Sequence, residues 1–131
     1  MSKVSGLEVV MDQKIYNISL TGVQSKTVLL EPGVTTWGDD NKLDKHIVIN
    51  VHEIDLILDG AATIELFLGD QSIWRRALTA AGEIHSVDRD IYAPNEARQP
   101  LSISVSANIT LTGIFRWSIN WAGGHRAKVA S

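Results

Sequence analysis

The chain has 131 residues, no cysteine, and 12 Lys+Arg against 15 Asp+Glu, a formal net charge of −3. That length fits one domain with one core, and 44% hydrophobic against 21% charged residues excludes a wholly disordered chain. The missing cysteines exclude disulfide frameworks, cysteine-ligated zinc and thiol catalysis, and the mild acidity argues against nucleic-acid or membrane partners.

No apolar run approaches the length of about 18 residues that a membrane-spanning helix needs. The start, Met1-Ser2-Lys3-Val4-Ser5-Gly6, lacks the basic and apolar regions of a secretion signal. Residues 1–13 have no clear period and read as an N-terminal arm. Tyr16, Ile18 and Leu20 then share a phase over Lys14–Leu20, and Val28 with Leu30 does so over Lys26–Glu31. Both stretches predict strands. Pro32-Gly33 and Trp37-Gly38-Asp39-Asp40-Asn41 predict loops. The carboxylates from Asp39 to Asp44 raise calcium, but they lack the alternating order of an EF-hand loop and read as a solvated acidic turn.

From His46 to Leu58 the apolar phase changes. Ile47, Ile49 and Val51 are odd-numbered, whereas Ile54, Leu56 and Leu58 are even. A phase slip inside one strand predicts a bulge, here near His52-Glu53. Asp59-Gly60 predicts a turn. Ala62, Ile64, Leu66 and Leu68 predict the next strand, and Gly69-Asp70 another turn. Ser72–Leu78 follows as a strand with Trp74 and Leu78 inward. Ile73–Ala81 also holds good helix formers, so a helix is the competing reading. Glu83–Tyr92 is polar and only loosely strand-like. Within it Asp88 and Asp90 would share an exposed face.

The clearest pattern is C-terminal. Leu101, Ile103 and Val105 alternate with serines, and Pro100 marks the start, since proline donates no ladder hydrogen bond. Ile109, Leu111, Gly113, Phe115, Trp117, Ile119 and Trp121 continue the alternation, with Ile114 the apolar exception on the other face. A three-residue loop, Ser106-Ala107-Asn108, would pair the two strands with Val105 opposite Ile109, Ile103 opposite Leu111 and Leu101 opposite Gly113. Residues 122–131, after the last apolar position, read as a flexible tail. Eight or nine short strands with regular turn signals predict an all-β fold, a single antiparallel β-sandwich or jelly-roll-like domain over residues 14–121 with flexible termini.

Chemistry-bearing motifs are sparse. No nucleophile elbow, phosphate-binding glycine loop or other cofactor motif is present. No His-x-His pair suggests a metal site. His52 beside Glu53 is the nearest approach, and adjacent strand residues could act together only through the bulge. These absences predict neither catalysis nor a resident metal or cofactor. Trp74, Trp117 and Trp121 lie on apolar phases and read as core or interface anchors. Trp37, in a polar loop, is the one tryptophan placed like a sugar-stacking platform. Arg75-Arg76 and the His125–Lys128 tail are too small for a nucleic-acid footprint. Asn17-Ile18-Ser19 and Asn108-Ile109-Thr110 match the glycosylation pattern and, without a secretion signal, read as chance.

The order of elements from Leu58-Asp59-Gly60 through Tyr92-Ala93-Pro94 and Leu101–Val105 to Thr112-Gly113-Ile114-Phe115-Arg116-Trp117 resembles the small β-sandwich proteins of tailed-bacteriophage virions. It is similar in particular to capsid decoration, or cement, proteins. The resemblance covers about half of the chain and rests on core and turn positions, so it transfers no contact residue. It implies a non-enzymatic protein made in a host cytoplasm. Such a protein binds the outside of an assembled capsid, with the major capsid protein and its own copies, as a trimer, for partners. The competing expectation is a carbohydrate- or receptor-binding module of a phage appendage, with Trp37 at its site.

Overall fold

The computed structural model describes residues 14–37, 45–86 and 91–123. The expected arm (1–13), the carboxylates Asp39, Asp40 and Asp44, Asp88, Asp90 and the basic tail lie outside these residues.

Nine strands form among them: β1 (Lys14–Thr21), β2 (Gln24–Leu30), β3 (Lys45–Leu58), β4 (Ala62–Leu68), β5 (Gln71–Leu78), β6 (Gly82–Ser86), β7 (Ile91–Pro94), β8 (Leu101–Val105) and β9 (Thr110–Gly123). A single helical turn, α1 (Val34–Trp37), is the one helix among the described residues. The fold is all-β, an antiparallel sandwich with jelly-roll-like topology. Sheet A has the order β1-β9-β3-β6, with β7 pairing the other half of the same edge of β3. Sheet B has the order β2-β8-β4-β5.

The two orders correspond. β1 and β2, β9 and β8, and β3 and β4 hold the same rank in opposite sheets. Each pair is consecutive in sequence, so the chain crosses between layers at corners. The corners are tied together at one end. The Gly22 amide donates to the Ile109 carbonyl at 2.8 Å, and the Asp59 amide to the Thr110 carbonyl at 3.1 Å. The Asp59 carboxylate in turn accepts from the Thr110 amide at 2.8 Å. Asp59-Gly60 is therefore a turn, as expected, but one that changes sheets.

This arrangement corrects the expected β8–β9 hairpin. β8 pairs with β4, with Ile103 opposite Leu66, and β9 pairs with β3, with Leu111 opposite Leu58. The alternation was sufficient to orient side chains inward. It could not choose a partner strand, because any strand of the same phase presents the same face. The true hairpin is β4–β5, closed by Gly69-Asp70, with Gly69 at φ 62° and Leu68 opposite Gln71. A positive φ at the first turn position matches the twist of paired strands.

The inner faces supply the core. Ile47, Ile49, Val51, Ile54, Leu56 and Leu58 of β3 are buried with Leu111, Phe115 and Trp117 of β9, against Ile64, Leu66, Leu101, Ile103 and Val105 of sheet B. Each such aliphatic side chain contributes about 1.5–3 kcal/mol on leaving water. Tyr16 stacks on Phe115 with ring centroids 5.3 Å apart, which seats β1 on the core.

The expected bulge is present. Val51 faces Trp117 and Glu53 faces Arg116, so His52 is the extra residue. It lets both halves of β3 direct apolar side chains inward. Residues 73–78 are strand, so the helix alternative fails. Cross-strand pairing of Arg75 with Glu65 and Trp74 with Leu66 stabilises β5, and Trp74 and Leu78 are half-buried. In β2 the expected phase is only half right. Lys26 adopts φ 52°, and the register with β8 breaks before Thr27 and again after Val28. Val28 is left 41% exposed while Leu29 and Leu30 are buried. The last strand runs to Gly123, two residues past the expected domain boundary at 121.

Candidate functional site on the outer face of sheet A

Past the bulge, β3 directs Glu53, Asp55 and Ile57 outward. The register sets them beside outward residues of β9 and β6: Glu53 opposite Arg116, Asp55 opposite Ile114 and His85, and Ile57 opposite Thr112 and Glu83. On the other side of β9, β1 brings Ile15 opposite Arg116 and Asn17 opposite Ile114.

Two features result. The first is an apolar diagonal. Ile57 on β3, Ile114 on β9 and Ile15 on β1 step one pair along the ladder at each strand, which is the spacing of diagonal neighbours in a sheet. Ile15 is 62% exposed and Ile57 56%. The second is a charged cluster beside it. Arg116 Nη2 lies 2.7 Å from Glu53 Oε1, and His85 Nδ1 contacts Asp55 Oδ1. Candidate ligand atoms of Glu53, Asp55 and His85 all lie within 4.8 Å of one another. A depression of about 350 Å³ borders the cluster, lined by Asp55, Ile57, Glu83, His85, Gly113 and Ile114 among others.

The two carboxyls titrate apart. Glu53 is pushed above the usual carboxylate range by its hydrogen bond with Asp55, by burial and by Asp55's like charge, against the pull of Arg116 and His85. Asp55 is held below that range, first by its hydrogen bond with Glu53 and then by His85 and Arg116, against burial.

Gly113 permits this close assembly. A Cβ built there would collide with the Asp55 carbonyl oxygen and lie 2.9 Å from Leu56 Cα. Only a residue without a side chain lets β9 pass so near β3.

The sequence-based candidates are distributed differently. Trp37 is 1% exposed, and its Nε1 donates to the Glu31 carbonyl at 3.0 Å. It is a core residue at the end of the sandwich, so the platform expectation is corrected: α1 turns the indole inward, which a polar loop sequence does not reveal. Trp117 is core, as expected. His52 does not join Glu53. Its Nε2 lies 2.9 Å from the Ser118 Oγ, and both residues are buried. That contact has the form of a base beside a hydroxyl, but Ser118 is closed to solvent and serves the packing of the bulge. His85 was missed because its strand is polar, and its meeting with Asp55 depends on strand pairing. The Glu53-x-Asp55 spacing was the available signal, since residues two apart share a face.

No family model matches the chain, and no curated protein sequence matches it. Similar solved structures include a Bacillus endospore appendage of a family of disulfide-linked pili (16% identity, TM-score 0.44, covering 83% of this chain and 85% of that one). The Tobacco streak virus coat protein dimer is similar at 12% identity and TM-score 0.38 (85% and 86% covered). So is the CBM36-1 domain of a multidomain xylanase from the hindgut metagenome of Trinervitermes trinervoides, at 10% identity and TM-score 0.35 (86% and 99% covered). These proteins differ in role, and a likeness of this degree extends to no shared function.

Proposed function

We propose that the protein is a structural, non-enzymatic component of a phage virion that binds and stabilises the outside of the capsid, self-associating as a trimer. The observation that carries this reading is the apolar diagonal Ile57–Ile114–Ile15 on an open sheet face, bordered by charges that already pair with one another. Such a face suits a broad, flat partner better than a small molecule, which favours an enclosed pocket. The order of strands and turns from Leu58 to Trp117 supports the same reading. A capsid offers many copies of one surface, so modest contacts at each copy sum through avidity.

The test is occupancy on capsids that lack the protein, together with mass photometry in solution. Wild type should bind saturably and form trimers. Ile57→Asp and Ile15→Asp should lose capsid occupancy while changing stability by no more than about 0.5 kcal/mol, as exposed substitutions do. A wild-type protein that stays monomeric and ignores such capsids sinks the proposal.

A further inference from the structure

We propose that Glu53, Asp55 and His85 form a zinc site on the outer face of sheet A. The inference is independent of the capsid reading. It starts from the donor set, one imidazole and two carboxylates, which suits zinc; calcium instead needs six to eight oxygens. The donor atoms come from two paired strands and lie within 4.8 Å of one another, so little rearrangement brings them around one ion. The strands fix them independently of any ligand. Glu53 and Asp55 share a face by their spacing, the bulge at His52 makes that face the outer one, and Asp55 sits opposite His85 in the β3–β6 ladder.

The surroundings fit as well. Arg116 pairs with Glu53 at 2.7 Å, which fixes that side chain as an outer partner orients a metal ligand. The adjoining depression leaves space for water to complete four-coordination, and its border with Ile57 and Ile114 gives the site an apolar flank. Zinc takes its donors in their deprotonated forms, so binding displaces any proton they hold. A zinc ion here would join β6 to β3 at the edge of sheet A, where the ladder is five residue pairs long.

The test is isothermal titration of the purified, tag-free chain with zinc chloride, with calcium chloride in parallel. Wild type should bind one zinc per chain and show a raised melting temperature with zinc. His85→Ala and Asp55→Asn should each weaken binding by about tenfold or more, since even outer partners of a ligand cost 10–100-fold. Glu65→Gln, on sheet B, and His125→Ala, in the C-terminal tail, should bind as wild type does. Circular dichroism of each variant confirms its fold. Absence of saturable zinc binding overturns the assignment. So does equal binding by a folded His85→Ala variant, or calcium binding as tight as zinc.

Discussion

Gly113 and Asp55 meet backbone to backbone: the strand carrying Gly113 runs so close to the Asp55 carbonyl that no Cβ fits between them. The same approach joins the core to the charged cluster, because Asp55 contacts His85 on the outer face while its neighbours Ile54 and Leu56 are buried inside. Gly113→Ala must therefore push β9 from β3. The expected loss is about 3 kcal/mol, at the upper end for overpacking. Gly33→Ala provides the contrast. Its Cβ would meet nothing within 4 Å, and the cost is confined to strain at φ 99°, about 1–2 kcal/mol. Urea unfolding of both variants compares them directly.

The bulge makes a second prediction. Deleting His52 would restore a regular ladder but force one half of β3 to present its apolar residues to solvent. It also removes the partner of the buried Ser118 hydroxyl. The deletion variant should lose more than about 4 kcal/mol, beyond the range of ordinary point changes, and give no cooperative melt. His52→Gln keeps the residue count and should retain a cooperative transition in the same calorimetric scan.

Trp37 provides a third. Trp37→Ala should cost about 3–5 kcal/mol by opening a cavity under α1. Trp37→Phe fills most of that space but strands the Glu31 carbonyl, at about 1–3 kcal/mol. Chemical denaturation measures both. On a glycan array the Phe variant should behave as wild type does, because the ring faces the core.

The exposed pair Lys26–Asp70, at 2.7 Å, gives a pH prediction. The hydrogen bond and charge of Lys26 hold the Asp70 carboxyl below the usual carboxylate range. A depressed native pKa means that the stabilisation is present above the unfolded pKa and lost as pH falls through the native one. NMR titration should show Asp70 moving up towards the ordinary value in Lys26→Met. High salt should do the same in wild type, since the pair is open to solvent.

The positions and inward faces of the long apolar strands were written in the sequence. A period of two needs only local information, so β3, β4, β8 and β9 were legible from their isoleucines, leucines and valines, and the phase slip at His52 located the bulge. Turn residues marked where strands stop. They could not show whether the chain would reverse within a sheet, as at Gly69-Asp70, or cross to the other, as at Asp59-Gly60 and Ser106-Ala107-Asn108. That choice is made by how two layers close over one core. The same closure decided the surface. Glu53 and Asp55 lie 30 or more residues from His85, and Ile15 lies about 100 from Ile114. Only strand pairing brings such residues together, because side-chain chemistry at long separation is set by register and leaves no local trace. Trp37 shows the limit from the other side: a polar neighbourhood in sequence says nothing about which way one turn of helix will point an indole.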